Sequence, residues 1–167
     1  MIYIVEAYCD EHGKAVGGNA GDQTGREIRR SVWRNFGQEF VLRLRDSEKA
    51  KLLAKKADIL CDGNWVGYNQ SDRTGLYNEL KKFHWNCGNL KIRCNTDCSA
   101  LAAALINAVG IEIPAGAYSG NIVNLCQKTG KFDALSAKDY TTVPNLLQAG
   151  DILVRPGHHV AIVSAKN

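Results

Sequence analysis

Two residues in this chain could together break an acyl bond: a cysteine where a helix begins and a histidine where a strand begins. Cys98 falls in the first turn of the most strongly helical stretch, DCSALAAALINAV at 97–109. Unpaired backbone N–H groups and the helix dipole favour an anion there, which activates a thiol and stabilises an oxyanion formed beside it. A thiol nucleophile also needs a base within hydrogen-bond reach. Four histidines are present, His12, His84, His158 and His159. The last two are neighbours in one strand and point to opposite faces. His159 shares its face with Ala161 and Val163, which makes His158 the exposed neighbour. Taken singly, Cys98 reads as a small buried apolar residue and His159 as a structural histidine; the pair reads as nucleophile and base.

Other chemistries fit less well. Cys87, Cys94 and Cys98 are separated by six and three residues, and Cys9 with His12 is an isolated CxxH, so no zinc set forms and no metal or cofactor is expected. The glycine-rich segment GGNAGDQTG at 17–25 lacks both the GK[ST] ending of a phosphate loop and the GxGxxG spacing of a dinucleotide site. It reads instead as a loop that walls a substrate cleft, with Asp22 and Gln23 as its polar groups. Six cysteines could make three bridges, but with no secretory signal and a chain long enough for its own core, mostly reduced thiols are expected.

The elements that must hold these residues are legible in outline. Residues 2–8 (IYIVEAY), 28–34 and 40–45 look extended, with a polar turn at 10–13 between the first two. Asp46 or Ser47 can cap a helix through about Leu60, with Gly63 just past its end. Ser71 can cap a shorter helix carrying Leu76, Leu80 and Phe83. A further helix at 120–129 stops at Gly130. The runs DILV and HVAIV, joined by Arg155-Pro156-Gly157, form a closing hairpin. Strands, then helices, then a hairpin make one α+β domain over 1–167.

Composition narrows the partners. The net charge is +4, from 21 basic and 17 acidic residues. That is short of a nucleic-acid arm and suits an anionic polymer. No apolar run is long enough to span a membrane. The start, MIYIVEAYCDEHGK, lacks the basic-then-apolar pattern of a secretory signal.

The ordered set Asp97-Cys98-Ser99, Gly150-Asp151-Ile152-Leu153 and His159-Val160-Ala161-Ile162 resembles the NlpC-type (CHAP-like) cysteine peptidases, with 61 positions from cysteine to histidine. The wider pattern GGNAGDQTGREI, GYNQSDRTGLYNEL and TDCSALAAAL is similar to phage and prophage endolysins, from about Val16 to Val163. The resemblance implies a papain-like domain, with helices packed on a small antiparallel sheet. It implies that Cys98 attacks an amide of the peptidoglycan stem peptide, that His159 is the base, and that Tyr68 and Asp97 support the nucleophile or oxyanion. The enzyme would be an endopeptidase. The alternatives are an N-acetylmuramoyl-L-alanine amidase using the same pair, or a wall-binding module without catalysis. The resemblance further implies synthesis in the bacterial cytoplasm without a signal peptide, and action at the wall. The family orients its histidine from the strand that follows it, yet this chain ends eight residues after His159. Asp22 and Gln23 are the candidates for that third residue, with Asp151 and Asn167 behind them. The early end also fits a trimmed chain that once carried a wall-binding module.

Overall fold

In β1 (Tyr3–Ala7), β-branched and aromatic residues favour an extended backbone, and a computed structural model describes residues 1–166 of the chain. β1 pairs antiparallel with β2 (Ile28–Val32), Tyr3 opposite Val32 and Ala7 opposite Ile28. On its other side lies β8 (His159–Val163), with Val5 opposite Ile162. β8 is hairpinned to β7 (Ile152–Arg155) across the expected turn, where Gly157 takes φ +74°. β3 (Phe40–Leu44) and β6 (Phe132–Leu135) complete a six-stranded antiparallel sheet in the order β2-β1-β8-β7-β3-β6.

Five helices surround this sheet: α1 (Ser47–Gly63), α2 (Gly75–Lys82), α3 (Cys98–Ala108), α4 (Ile122–Lys128) and α5 (Lys138–Thr141). The fold is therefore α+β with helices packed on an antiparallel sheet. Both faces of the sheet are covered. Val5, Leu42, Ile152, Val160 and Ile162 join the core built around α3, while Ile4, Val41, Leu153, Ala161 and Val163 form a second cluster under Trp33, Phe36 and Tyr140. This explains why DILV and HVAIV are apolar almost throughout. α3 is the central helix, and every residue from Cys98 to Asn107 is buried. Leu101 and Leu105 are fully enclosed, and truncating either to alanine would cost about 2–5 kcal/mol.

Several boundaries differ from the sequence expectation. The Asp46 side chain caps α1 by accepting from the Glu48 and Lys49 amides. That helix runs through Gly63, and Asn64 ends it at φ +57°. Asparagine tolerates this left-handed conformation. Ser71 does not cap α2. Asn69 caps a short 3₁₀ turn at Gln70–Asp72, and α2 starts after Thr74. A two-stranded parallel pair, β4 (Val66–Tyr68) and β5 (Cys94–Thr96), is added beside the helices. All six cysteines are unbonded. Among the described residues no cluster of three or more His, Cys, Asp or Glu could hold a metal, and no helix is long and apolar enough to cross a membrane.

Candidate active site

The start of α3 is built by Asp97. Its Oδ1 accepts from the Ala100 amide at 2.9 Å, the N-cap bond expected of an aspartate there. Arg73 holds the same carboxylate through Nε to Oδ2 at 2.7 Å and also donates to Ser99 Oγ and the Ala117 carbonyl. Asp97 is thus committed to fixing the first turn. The Cys98 and Ser99 amides, in the same first turn, have no intrahelical partner. They are the donors an oxyanion would need.

β4 brings Tyr68 to this point. In the parallel pair Tyr68 lies opposite Thr96, two residues before the cysteine. Close backbone packing holds this arrangement. A Cβ on Gly18 would overlap the Tyr68 carbonyl oxygen and come within 2.7 Å of Asp10 Cβ, so the glycine-rich loop seats against β4 only with glycine there. Burial, with the neighbouring Cys98 adding to it, pushes the Tyr68 phenol up to about 12. The phenol therefore stays protonated. Its oxygen accepts from Gln70 Nε2 at 3.0 Å, which leaves its own proton free to donate.

His159 opens β8, and its partner is a residue the sequence reading did not select. Glu6 Oε2 lies 2.6 Å from His159 Nε2. The register of β1 against β8 sets Glu6 diagonally from His159 on one face. Glu6 is completely buried and is braced by Arg29 Nε at 2.9 Å and by Arg34 through both Nη atoms, at 2.7 and 2.9 Å. Phe36 packs its ring against the imidazole at 5.0 Å, nearly perpendicular. Burial alone would raise Glu6, but His159 and Arg34 outweigh it and hold the carboxyl down at about 2.

Cys98 acts on the same imidazole as a near neighbour, raising its proton affinity. Glu6 occupies Nε2, and Nδ1 has no hydrogen-bond partner among the described residues. Burial would lower the imidazole pKa, yet Cys98 and Glu6 together push it up to about 9. Burial holds four of the other thiols protonated: Cys61 and Cys87 at about 11, Cys94 and Cys126 at about 12. Cys98 is set apart by its neighbours: a helix start, a protonated phenol and a carboxylate-held imidazole.

The other expected residues lie elsewhere. Asp22 and Gln23 do not hold His159. Asp22 Oδ1 accepts from the Gly25 and Thr24 amides, and burial beside Glu27 pushes this carboxyl up to about 6. Gln23 donates to the Ala20 and Gly21 carbonyls. Both are spent on the shape of the loop. Asp151 is paired with Arg43 at 2.6 Å. Asn167 lies outside the described residues. His158 is exposed, but it lies in the turn before β8 and not in the strand, so strand alternation does not place it. Glu6 did leave a signal, because a lone carboxylate in IYIVEAY shares the face of Ile4, where period two puts an apolar residue.

A family model described as an endolysin-like domain matches residues 4–167. No curated protein and no solved structure matches the chain.

Proposed function

The chain belongs to the endolysin-like domain family, and from that premise we propose that it hydrolyses peptidoglycan by cysteine catalysis, as an endopeptidase of the stem peptide. The family itself points to lysis of the bacterial wall in a phage context. The cysteine mechanism rests on one observation: a buried carboxylate 2.6 Å from an imidazole whose proton affinity the helix-start thiol of Cys98 also raises. A merely structural histidine has no need of all three.

The steps follow from where the groups stand. The Cys98 thiol gives its proton to His159 and the sulfur attacks the peptide carbonyl carbon. The carbonyl oxygen takes up the charge, facing the first-turn amides of α3 and the Tyr68 hydroxyl. His159 then protonates the departing amine, and the C–N bond breaks to leave a thioester on Cys98. Water, losing a proton to His159, attacks the thioester and releases the carboxylate product. Throughout, Glu6 holds the Nε2 proton and stabilises the imidazolium. The helix-borne thiol facing a sheet-borne histidine supports a papain-like, NlpC-type arrangement, with the orienting carboxylate drawn from the first strand.

The test is mass spectrometry of fragments released from purified peptidoglycan by the wild type and by Cys98→Ala. New amino termini inside the stem peptide, absent with the variant, are expected. Release of whole stem peptides would make the enzyme an amidase. Equal release by the variant would remove Cys98 from the chemistry.

A further inference from the structure

Between the end of β1 and Tyr68 lies an open cleft of about 540 Å³, lined by Tyr8, Cys9, Lys14, Ala15, Arg26 and Tyr68. It adjoins the reactive centre through Tyr68. Tyr68 is the phenol beside Cys98. Tyr8 follows β1 directly, two residues after Glu6, the carboxylate that holds His159. A substrate chain leaving the thiol in this direction must cross the cleft.

The charges in the cleft are unevenly committed. Each acid close by accepts hydrogen bonds within the fold, although Asp10 Oδ2 is buried without a partner. Glu6 holds His159, Arg29 and Arg34. Glu27 accepts from Thr24 and the Arg26 amide, and Asp10 Oδ1 accepts from the His12 and Lys14 amides. Arg29 lies over the Tyr8 ring with its charge taken up by Glu6. Lys14 and Arg26 differ. Among the described residues neither side chain makes a hydrogen bond or an ion pair, and both are exposed at the cleft. Two uncommitted cations flank an aromatic-walled groove whose wall includes Tyr68, the phenol beside Cys98. We propose that this groove is a substrate subsite for a free carboxylate, so that Lys14 and Arg26 select wall peptides whose carboxyl next to the cleaved bond is ionised over those in which it is amidated. The inference rests on the hydrolase reading above and names the substrate class of the same site.

A charge-assisted contact to a carboxylate is lost when the carboxyl becomes an amide, which corresponds to about a tenfold effect or more. The experiment compares kcat/KM for two soluble stem-peptide fragments identical except for a free or an amidated carboxyl. The wild type should prefer the free acid by about tenfold, mainly through a lower KM, with the preference eroding as salt is raised because the contact is exposed. In Lys14→Ala/Arg26→Ala the ratio of the two kcat/KM values should fall toward one. Equal cleavage of both fragments by the wild type, or a preference unchanged in the double variant, would overturn the subsite while leaving the hydrolase intact. Cleavage of neither fragment by the wild type would instead overturn the endopeptidase reading, and the subsite with it. The salt dependence of the wild type reads the subsite without any substitution, so a double variant that misfolds still leaves it testable.

Discussion

Replacing Glu6 by glutamine keeps the shape and a hydrogen bond to His159 but removes the charge. The folded protein raises His159 from 6.5 to about 9. At about 1.4 kcal/mol per pH unit, that amounts to about 3 kcal/mol of stability, shared between Cys98 and Glu6. His159 binds its proton more tightly folded than unfolded. This stability is therefore complete below pH 6.5 and is lost as pH rises toward 9. Glu6 behaves oppositely: its carboxyl falls from 4.5 to about 2, so its contribution is present above pH 4.5 and is lost as pH falls toward 2. The assay is urea unfolding between pH 6 and 9.5, in a Cys98→Ala background so that Glu6 acts alone on the imidazole. Glu6→Gln should flatten the decline in stability across this range by roughly half or more. At neutral pH it should also cost about 2–4 kcal/mol, because Arg29 and Arg34 lose their shared anion, a cost reduced by their partial exposure. With Cys98 present, the alkaline limb of kcat/KM near pH 9 should move to lower pH, and the rate should fall about a hundredfold. An unchanged pH slope in Glu6→Gln would refute the claim that this carboxylate sets the histidine's proton affinity.

Arg34→Ala should act in the other direction on the same pair. With fewer competitors for Glu6, the imidazolium is better held, and the alkaline limb should move up while stability falls by about 1–3 kcal/mol, read by activity profiles and denaturation. Tyr68→Phe removes the donor but not the ring; kcat should drop about 10- to 100-fold with KM and melting temperature little changed. Gly18→Ala places a methyl against the Tyr68 carbonyl and Asp10, so it should destabilise by about 1–3 kcal/mol and lower activity, checked by calorimetry and turnover.

The parts of the site fixed by local chemistry were readable from the sequence. Asp97 caps α3 as its residue type demands, and the Arg155-Pro156-Gly157 turn sets His159 at the opening of its strand. The expected α2 start at Ser71 failed because Asn69 supplied a competing cap two residues earlier. β4, β5 and β6 have three or four residues each, too few for periodicity to register, and β4 and β5 exist only by pairing with each other. Glu6 is 153 residues from His159, and only the sheet order brings β1 beside β8. Asp22 and Gln23 had the right chemistry, but Asp22 is turned to the amides of its own loop and to Glu27, and Gln23 to carbonyls of that loop.

The central claim is that one thiol of six, Cys98, is the nucleophile. The most direct measurement is alkylation of the native protein with limiting iodoacetamide, with peptide mapping to locate the label and wall lysis followed on the same samples. Label should accumulate first on Cys98, and lysis should fall in proportion to its occupancy. Full lytic activity with Cys98 completely alkylated would contradict the mechanism.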